Sequence, residues 1–136
     1  MAKVIGVGGV FFKTDDPEGL AAWYRDWLGI PIDETFGGAV FRPDTMPPAG
    51  YTVWAPFQAS SNYFDPSHKQ YMLNLVVDDL DGALAQVRQG GAEVVGDIEE
   101  YEYGRFGWFM DPDGNKIELW EPAAAPQDEA ASPSEP

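Results

Sequence analysis

The residue types that carry most protein chemistry are sparse in this sequence. Its 136 residues include no cysteine and one histidine, His68. The lack of cysteine excludes disulfides, thiolate catalysis and cysteine-based zinc or iron–sulfur sites. His68 lies in the loop-type run Pro66-Ser67-His68-Lys69, where we expect it to be exposed to solvent. A functional site must therefore be built from other side chains.

A short glycine string, Gly6-x-Gly8-Gly9, invites comparison with nucleotide-binding loops. Such loops connect the end of a strand to the start of a helix, because the helix N-terminus holds the phosphates. Here the string lies inside a run of strand-forming residues. It therefore does not predict a dinucleotide site.

The charge balance limits the partners of the chain. Twenty-three acidic residues against eight basic ones give a formal net charge of −15. This charge repels nucleic acids and disfavours anionic membrane surfaces. It suits a cationic ligand, or simply a solubilising surface. The apolar stretch at residues 4–12 is too short to span a membrane and lacks a signal-peptide cleavage site, so we expect a cytoplasmic protein.

The first half of the chain has the pattern of a strand, a helix and further strands. After a β-type run at residues 4–13, Asp16 can cap a helix and Pro17 fits its first position. Gly29 stands where a helix commonly ends. The apolar residues between them fall on one helical face: Leu20, Trp23, Tyr24, Trp27 and Leu28. Short strands are predicted at residues 38–42 and 51–56.

The second half repeats this order. A strand at residues 71–77 precedes a capping pair, Asp78-Asp79, a helix with Leu80, Leu84 and Val87 on one face, and the stop Gly90-Gly91. Strands are predicted at residues 92–98, 106–110 and 116–120. At an offset of 63, five residues are identical in the two halves: Asp15, Asp16, Gly19, Ala22 and Arg25 match Asp78, Asp79, Gly82, Ala85 and Arg88. Together with the coincident caps and stripes, these matches indicate a duplicated unit.

The sequence thus predicts one domain at residues 1–122. Module one covers residues 4–57, a linker covers 58–69, and module two covers 70–122. Residues 123–136 contain mainly Ala, Pro, Ser and acids, which is typical of a disordered tail.

Two segments resemble the vicinal oxygen chelate superfamily of glyoxalases, bleomycin-resistance proteins and extradiol dioxygenases. Residues 15–31, DDPEGLAAWYRDWLGIP, are similar to the first helix of that superfamily. Residues 104–122, GRFGWFMDPDGNKIELWEP, are similar to its closing hairpin. The turn Asp111-Pro112-Asp113-Gly114-Asn115 has a structural reason for its composition, because Gly114 can take a positive φ. The resemblance implies an α+β fold of two tandem βαβββ modules forming paired half-barrels.

In that superfamily a divalent metal lies between the half-barrels and is held by side chains of the first and last strand of each module. The corresponding positions here are Gly9, Thr52, Met72 and Glu118. Glycine has no donor, methionine is too soft for such ions and threonine is a poor neutral ligand. With a single histidine, the two-histidine triad of iron dioxygenases is excluded. The resemblance therefore predicts a family member without a metal cofactor.

Glu118 remains the candidate for chemistry, because a carboxylate that faces a barrel interior must be paired, hydrogen-bonded or protonated. Three interpretations stay open. Glu118 is a former metal ligand now satisfied by Arg105 or Lys116, an anchor for the amine or hydroxyl of a ligand, or a catalytic general base with a raised pKa.

Strand alternation predicts which other residues line the cavity. The lining would be aromatic with few polar groups, which suits a flat or hydrophobic small molecule and equally suits an ordinary core. Tyr101 and Tyr103, in an acidic segment, form its rim or a solvated loop. The predicted ligand-binding residues are Phe11, Thr52, Trp54, Met72, Asn74, Tyr103, Arg105 and Trp120.

The function favoured by these features is metal-independent binding of a small molecule, similar to the resistance proteins that sequester drugs. The alternative is a metal-dependent lyase, epimerase or dioxygenase with an altered ligand set. A metal-free enzyme with Glu118 as base is a third hypothesis. The resemblance also implies a homodimer, since family members often pair their sheets.

Overall fold

A computed structural model describes residues 1–124 of the chain. Of the predicted tail at residues 123–136, only Ala123 and Ala124 fall within this range. The remainder, residues 125–136, lies outside the described residues.

Two α-helices form where the sequence predicted them. Helix α1, Pro17–Leu28, is capped by Asp16, whose carboxylate accepts the backbone N–H of Gly19, and ends at Gly29 with a φ of 66°. Helix α2, Leu80–Gln89, is capped in the same way by Asp79. A short 3₁₀ helix, Pro43–Thr45, lies between them in sequence. Among residues 1–124 no helix is long and apolar enough to cross a membrane.

The four strands of the second half form one mixed sheet. They are β1 Leu73–Val76, β2 Glu93–Tyr101, β3 Gly104–Met110 and β4 Lys116–Pro122. Their order in the sheet is β1-β4-β3-β2, with β1 parallel to β4 and the other neighbours antiparallel. This confirms an α+β fold and the βαβββ order of the second half.

The sheet buries different residues on its two faces. Both helices pack on one face, where the core is mainly aliphatic and includes Ile117 and Leu119 together with the aromatic Phe109, each fully buried. The other face holds a separate cluster of Phe106, Trp108 and Trp120. Alternation along β3 and β4 therefore places the helix-covered core on one face of the sheet and the aromatic cluster on the other.

The strands predicted in the first half are not formed. Residues 4–13, 38–42 and 51–56 contain no strand, and the described part of this half shows an isolated bridge between Asp33 and Gly38. A strand is stable only when a neighbour accepts its backbone hydrogen bonds and covers one of its faces. Instead these segments expose large apolar residues, with Phe11 95% and Trp54 79% exposed. The division of the chain into two modules stays a prediction.

The predicted hairpin turn also ties the two halves together. Gly114 has a φ of 81°, and the Asp111 carboxylate accepts the backbone N–H groups of Asp113 and Asn115, both at 2.9 Å. Its other oxygen accepts the hydroxyl of Tyr24 in α1 at 2.8 Å. A buried carboxylate satisfied by these donors fixes helix α1 against the β3–β4 hairpin.

Candidate functional site

Glu118 lies at the centre of the aromatic face, 8% exposed, and accepts three hydrogen bonds. The Tyr63 hydroxyl donates to Oε2 at 2.6 Å, and the Trp108 indole donates to the same oxygen at 3.0 Å. The Asn74 amide donates to Oε1 at 2.7 Å. These bonds compensate the cost of burying the carboxylate.

The sheet register explains two of these contacts. Asn74 on β1 and Trp108 on β3 are the cross-strand neighbours of Glu118 on β4. Side chains opposite each other on adjacent strands project from the same face and lie close together. The third donor, Tyr63, comes from residues 57–70, which form no helix or strand and lie against this face.

A lysine completes the polar group of the site. Lys116, on the same face of β4, is 9% exposed, and its Nζ donates to the backbone carbonyl of Tyr63 at 2.6 Å. The ammonium lies 5.1 Å from the Tyr63 ring centre and 5.8 Å from that of Trp108, within cation–π range. Burial lowers the pKa of Lys116, while the charge of Glu118 acts in the opposite direction.

Tyr63 acts as a hydrogen-bond donor in this arrangement. Burial raises the pKa of its phenol above the usual value, and the hydrogen bond to Glu118 raises it further. The phenol therefore keeps its proton at physiological pH. Its ring also stacks on Phe57 at 5.6 Å between centroids and meets Trp108 edge-on at 6.4 Å.

Beyond Glu118 the face is aromatic. Phe106 and Trp120 lie nearly parallel, 6.0 Å apart, and Tyr51 packs on Trp120 at 4.8 Å. The Trp120 indole donates to the backbone carbonyl of Tyr103 at 2.9 Å, and the ring of Tyr103 packs on Phe106. The face thus combines flat apolar walls with a few fixed polar groups, which is the usual composition of small-molecule sites.

The structure brings together some of the residues predicted for the site and leaves others apart. Trp120 is in the aromatic cluster, Met72 and Tyr103 pack against it, and Asn74 contacts Glu118. The remaining candidates of the first half, Phe11, Thr52 and Trp54, are exposed and lie outside the cluster, as does the metal position Gly9. These four belong to segments that were predicted as strands and are not formed.

Arg105 lies on the opposite side of the sheet from Glu118. Its guanidinium pairs with Asp81 in the first turn of α2 at 3.1 Å and with Glu121 at 3.7 Å. Strand alternation explains this position, because Arg105 is one residue out of phase with Phe106 and Trp108. The structure therefore does not pair Arg105 with Glu118. Lys116 lies on the same face as Glu118 and interacts with its charge, while the hydrogen bonds to the carboxylate come from Tyr63, Asn74 and Trp108.

The sequence did not predict two of the three hydrogen-bond donors to Glu118, which are Trp108 and Tyr63. Trp108 could have been found by folding residues 104–122 about the turn at Asp111, which places residue 108 opposite residue 118. Tyr63 carries no such signal, because it lies in a predicted linker and is 55 residues away in sequence. His68 is exposed, as expected.

The donor set does not fit a divalent metal. Both oxygens of Glu118 already accept hydrogen bonds, and Met72 is the other family ligand position beside the aromatic cluster. Among residues 1–124 there is no group of three or more His, Cys, Asp or Glu side chains able to hold an ion. Glu118 offers one hard carboxylate ligand and Met72 only a soft thioether, which is too few hard ligands for such an ion.

A separate surface depression lies away from Glu118. It measures about 540 Å³ and is lined by residues that include Phe12, Asp15, Lys69 and Asp113. It is open to solvent, whereas three hydrogen-bond donors meet at the buried carboxylate of Glu118. We therefore place the candidate site at Glu118 on chemical grounds.

The sequence matches the model of one protein family. The model of the glyoxalase-like domain matches residues 9–120. No curated protein matches the chain significantly.

Solved structures add partial likenesses. TnmS3, an antibiotic binding protein from Streptomyces sp. CB03234, is 36% identical over 40% of this chain and 45% of its own, with a TM-score of 0.35. A member of the glyoxalase/bleomycin resistance protein/dioxygenase superfamily from Sphaerobacter thermophilus DSM 20745 is 32% identical over 36% and 40%, with a TM-score of 0.33. The chain thus spans less than half of either protein. A protein of unknown function from Agrobacterium tumefaciens str. C58 is 22% identical over 90% and 98%, with a TM-score of 0.53, which shows a shared fold.

Replacing Glu118 by glutamine tests the hydrogen-bonded carboxylate. The amide keeps the size of the side chain but turns one acceptor into a donor, which then faces a donor of Tyr63, Asn74 or Trp108. We expect Glu118→Gln to lower the free energy of unfolding by about 1.5–3 kcal/mol, the usual cost of losing a hydrogen bond to a charged group. Urea denaturation followed by tryptophan fluorescence measures this.

The matched control is Glu102→Gln, at an exposed position of the same half of the chain. A surface substitution of this kind changes stability by no more than about 0.5 kcal/mol. Equal effects of the two substitutions would show that Glu118 has no special environment.

Proposed function

The chain belongs to the glyoxalase-like domain family, and from this premise we propose that it is a metal-independent small-molecule binder. The ligand we propose is flat and aromatic and carries a hydrogen-bond donor. The family alone does not decide between binding proteins and enzymes, because one fold supports many activities. The choice rests on the chemistry of the aromatic face.

The proposal rests on the number of hydrogen bonds that the Glu118 carboxylate accepts. An ionised carboxylate offers about four acceptor positions, and three are filled by Tyr63, Asn74 and Trp108. One position remains for an N–H or O–H group of a ligand. The surrounding rings, including Trp108 and Trp120, offer flat apolar surface on which a planar molecule can stack.

The overall charge supports the same conclusion. A net charge of −15 raises the local concentration of cationic compounds near the protein surface and repels anionic ones. A planar cation with N–H donors would therefore be attracted by the negative charge of the protein and could donate a hydrogen bond to Glu118.

Proflavine, a planar aromatic cation with amino groups, is a direct probe of this proposal. We expect it to bind the wild-type protein in the presence of EDTA, as measured by fluorescence anisotropy at physiological ionic strength. Glu118→Gln should weaken binding by about tenfold, because a charge-assisted hydrogen bond is lost. Glu102→Gln should change it by less than about twofold, since an exposed charge is screened. A requirement for added divalent metal, or equal losses in both variants, would contradict the proposal.

We further propose that the protein acts as a homodimer. Its first half exposes apolar side chains that a folded monomer rarely leaves in water, such as Ile5 at 92% and Phe11 at 95%. Strand β1 pairs with β4 along one edge, and within residues 1–124 no strand pairs with its other edge. A second copy of the chain would supply both apolar cover and backbone partners.

Sedimentation equilibrium of the full chain tests the assembly. We expect a mass of about twice that of the chain at micromolar concentration, because obligate interfaces bury extensive apolar surface. A monomer mass over the whole concentration range would refute the homodimer and leave the binding proposal untouched.

A further inference from the structure

One side chain occupies the space in front of Glu118 as a ligand would. Tyr63 belongs to residues 57–70, which lack a helix or strand, and is 38% exposed. It thus lies partly exposed on the aromatic face and outside both buried core clusters. Its phenol reaches inward to the carboxylate, while its backbone carbonyl is held separately by Lys116.

The contacts of the Tyr63 ring describe what this position accepts. The hydroxyl donates to Glu118 at 2.6 Å, a length typical of O–H groups bound to a carboxylate. The Trp108 ring meets the phenol edge-on, and the Lys116 ammonium lies 5.1 Å from its centre. A phenol fits this position because its hydroxyl can donate to Glu118. Its ring can pack against Trp108 and lie near the Lys116 ammonium.

Resting on the small-molecule binding proposed above, we infer that the Glu118 site recognises a phenolic ring and that Tyr63 is a tethered competitor for it. A phenolic ligand enters by displacing the Tyr63 side chain and takes over its hydrogen bond to Glu118, whereas a cation such as proflavine uses the fourth acceptor position and leaves Tyr63 in place. The segment stays attached through the Lys116 bond to the backbone carbonyl of residue 63, which does not depend on the side chain. The chain thereby regulates access to its own site.

The chemistry of the position sets the selectivity. Glu118 accepts hydrogen bonds and repels a carboxylate, so an aromatic acid is a poor ligand. A ring without a hydroxyl leaves the acceptor unpaired, and a methyl ether of the same ring offers no donor. Sites that hydrogen-bond a ligand hydroxyl reject analogues that lack it, because the buried polar group then has no partner.

Removing the tethered phenol tests the inference. The probes are 4-methylphenol and 4-methylanisole, which share a ring and differ in the donor. Binding is followed by calorimetry and by the indole N–H signal of Trp108, which donates to Glu118. We expect Tyr63→Ala to bind 4-methylphenol at least about tenfold more tightly than the wild type does, and about tenfold more tightly than it binds 4-methylanisole.

Two further variants separate the explanations. Tyr63→Phe keeps the ring in place and should leave the site closed to 4-methylphenol. Adding Glu118→Gln to Tyr63→Ala should abolish the preference for the phenol over the anisole. Equal binding of both probes by Tyr63→Ala, or equal binding of 4-methylphenol by Tyr63→Ala and the wild type, would overturn the inference even if proflavine binds. Failure of proflavine to bind would count against the proposed function instead.

Folding is checked by far-ultraviolet circular dichroism. If Tyr63→Ala does not fold, Tyr63→Leu keeps an apolar side chain on the segment and takes its place. Loss of fold in both variants would show that Tyr63 is an essential part of the core rather than a displaceable side chain, and would also overturn the inference.

Discussion

The burial of one carboxylate organises the aromatic face of this protein. A charged group can leave water only when donors replace its hydration, and Glu118 receives them from two strands and a loop. Asn74 and Trp108 are set by the sheet register, so any shift of β1 or β3 against β4 would strip a donor from the carboxylate. The need to satisfy Glu118 thus couples the register of the sheet to the position of residues 57–70.

The opposite face of the sheet forms the apolar core beneath the two helices. There the helices cover fully buried aliphatic and aromatic side chains such as Phe109 and Leu119, and Arg105 pairs with acids of α2 and β4 at the margin. The Asp111 turn joins the strands that contribute to both faces, and its bond to Tyr24 fixes helix α1. The helix-covered face thus forms an apolar core, while the aromatic face holds a buried carboxylate satisfied by hydrogen bonds.

Local sequence patterns correctly predicted those features that depend on residues close together in the chain. The caps at Asp16 and Asp79, the helical stripes and the hairpin turn depend on residues a few positions apart, and each is formed as predicted. Resemblance located Glu118 and strand alternation placed Asn74 in the same site, but Tyr63 and Trp108 were not predicted. Tyr63 approaches Glu118 from a segment without periodicity, and such a contact between distant residues leaves no local signal. The first-half strands were also wrong, because alternation predicts a strand face but cannot supply the neighbour it needs.

The metal content of the purified protein distinguishes a hydrogen-bonded Glu118 site from a metal site. The protein would be purified without chelator, incubated with nickel, zinc, manganese and iron in turn, desalted and submitted to elemental analysis. We expect no stoichiometric metal, because Glu118 is bonded to three donors and residues 1–124 contain no group of three His, Cys, Asp or Glu side chains that could hold an ion. One metal per chain, lost in a Glu118→Ala variant, would contradict this expectation and turn the search to metal-dependent substrates.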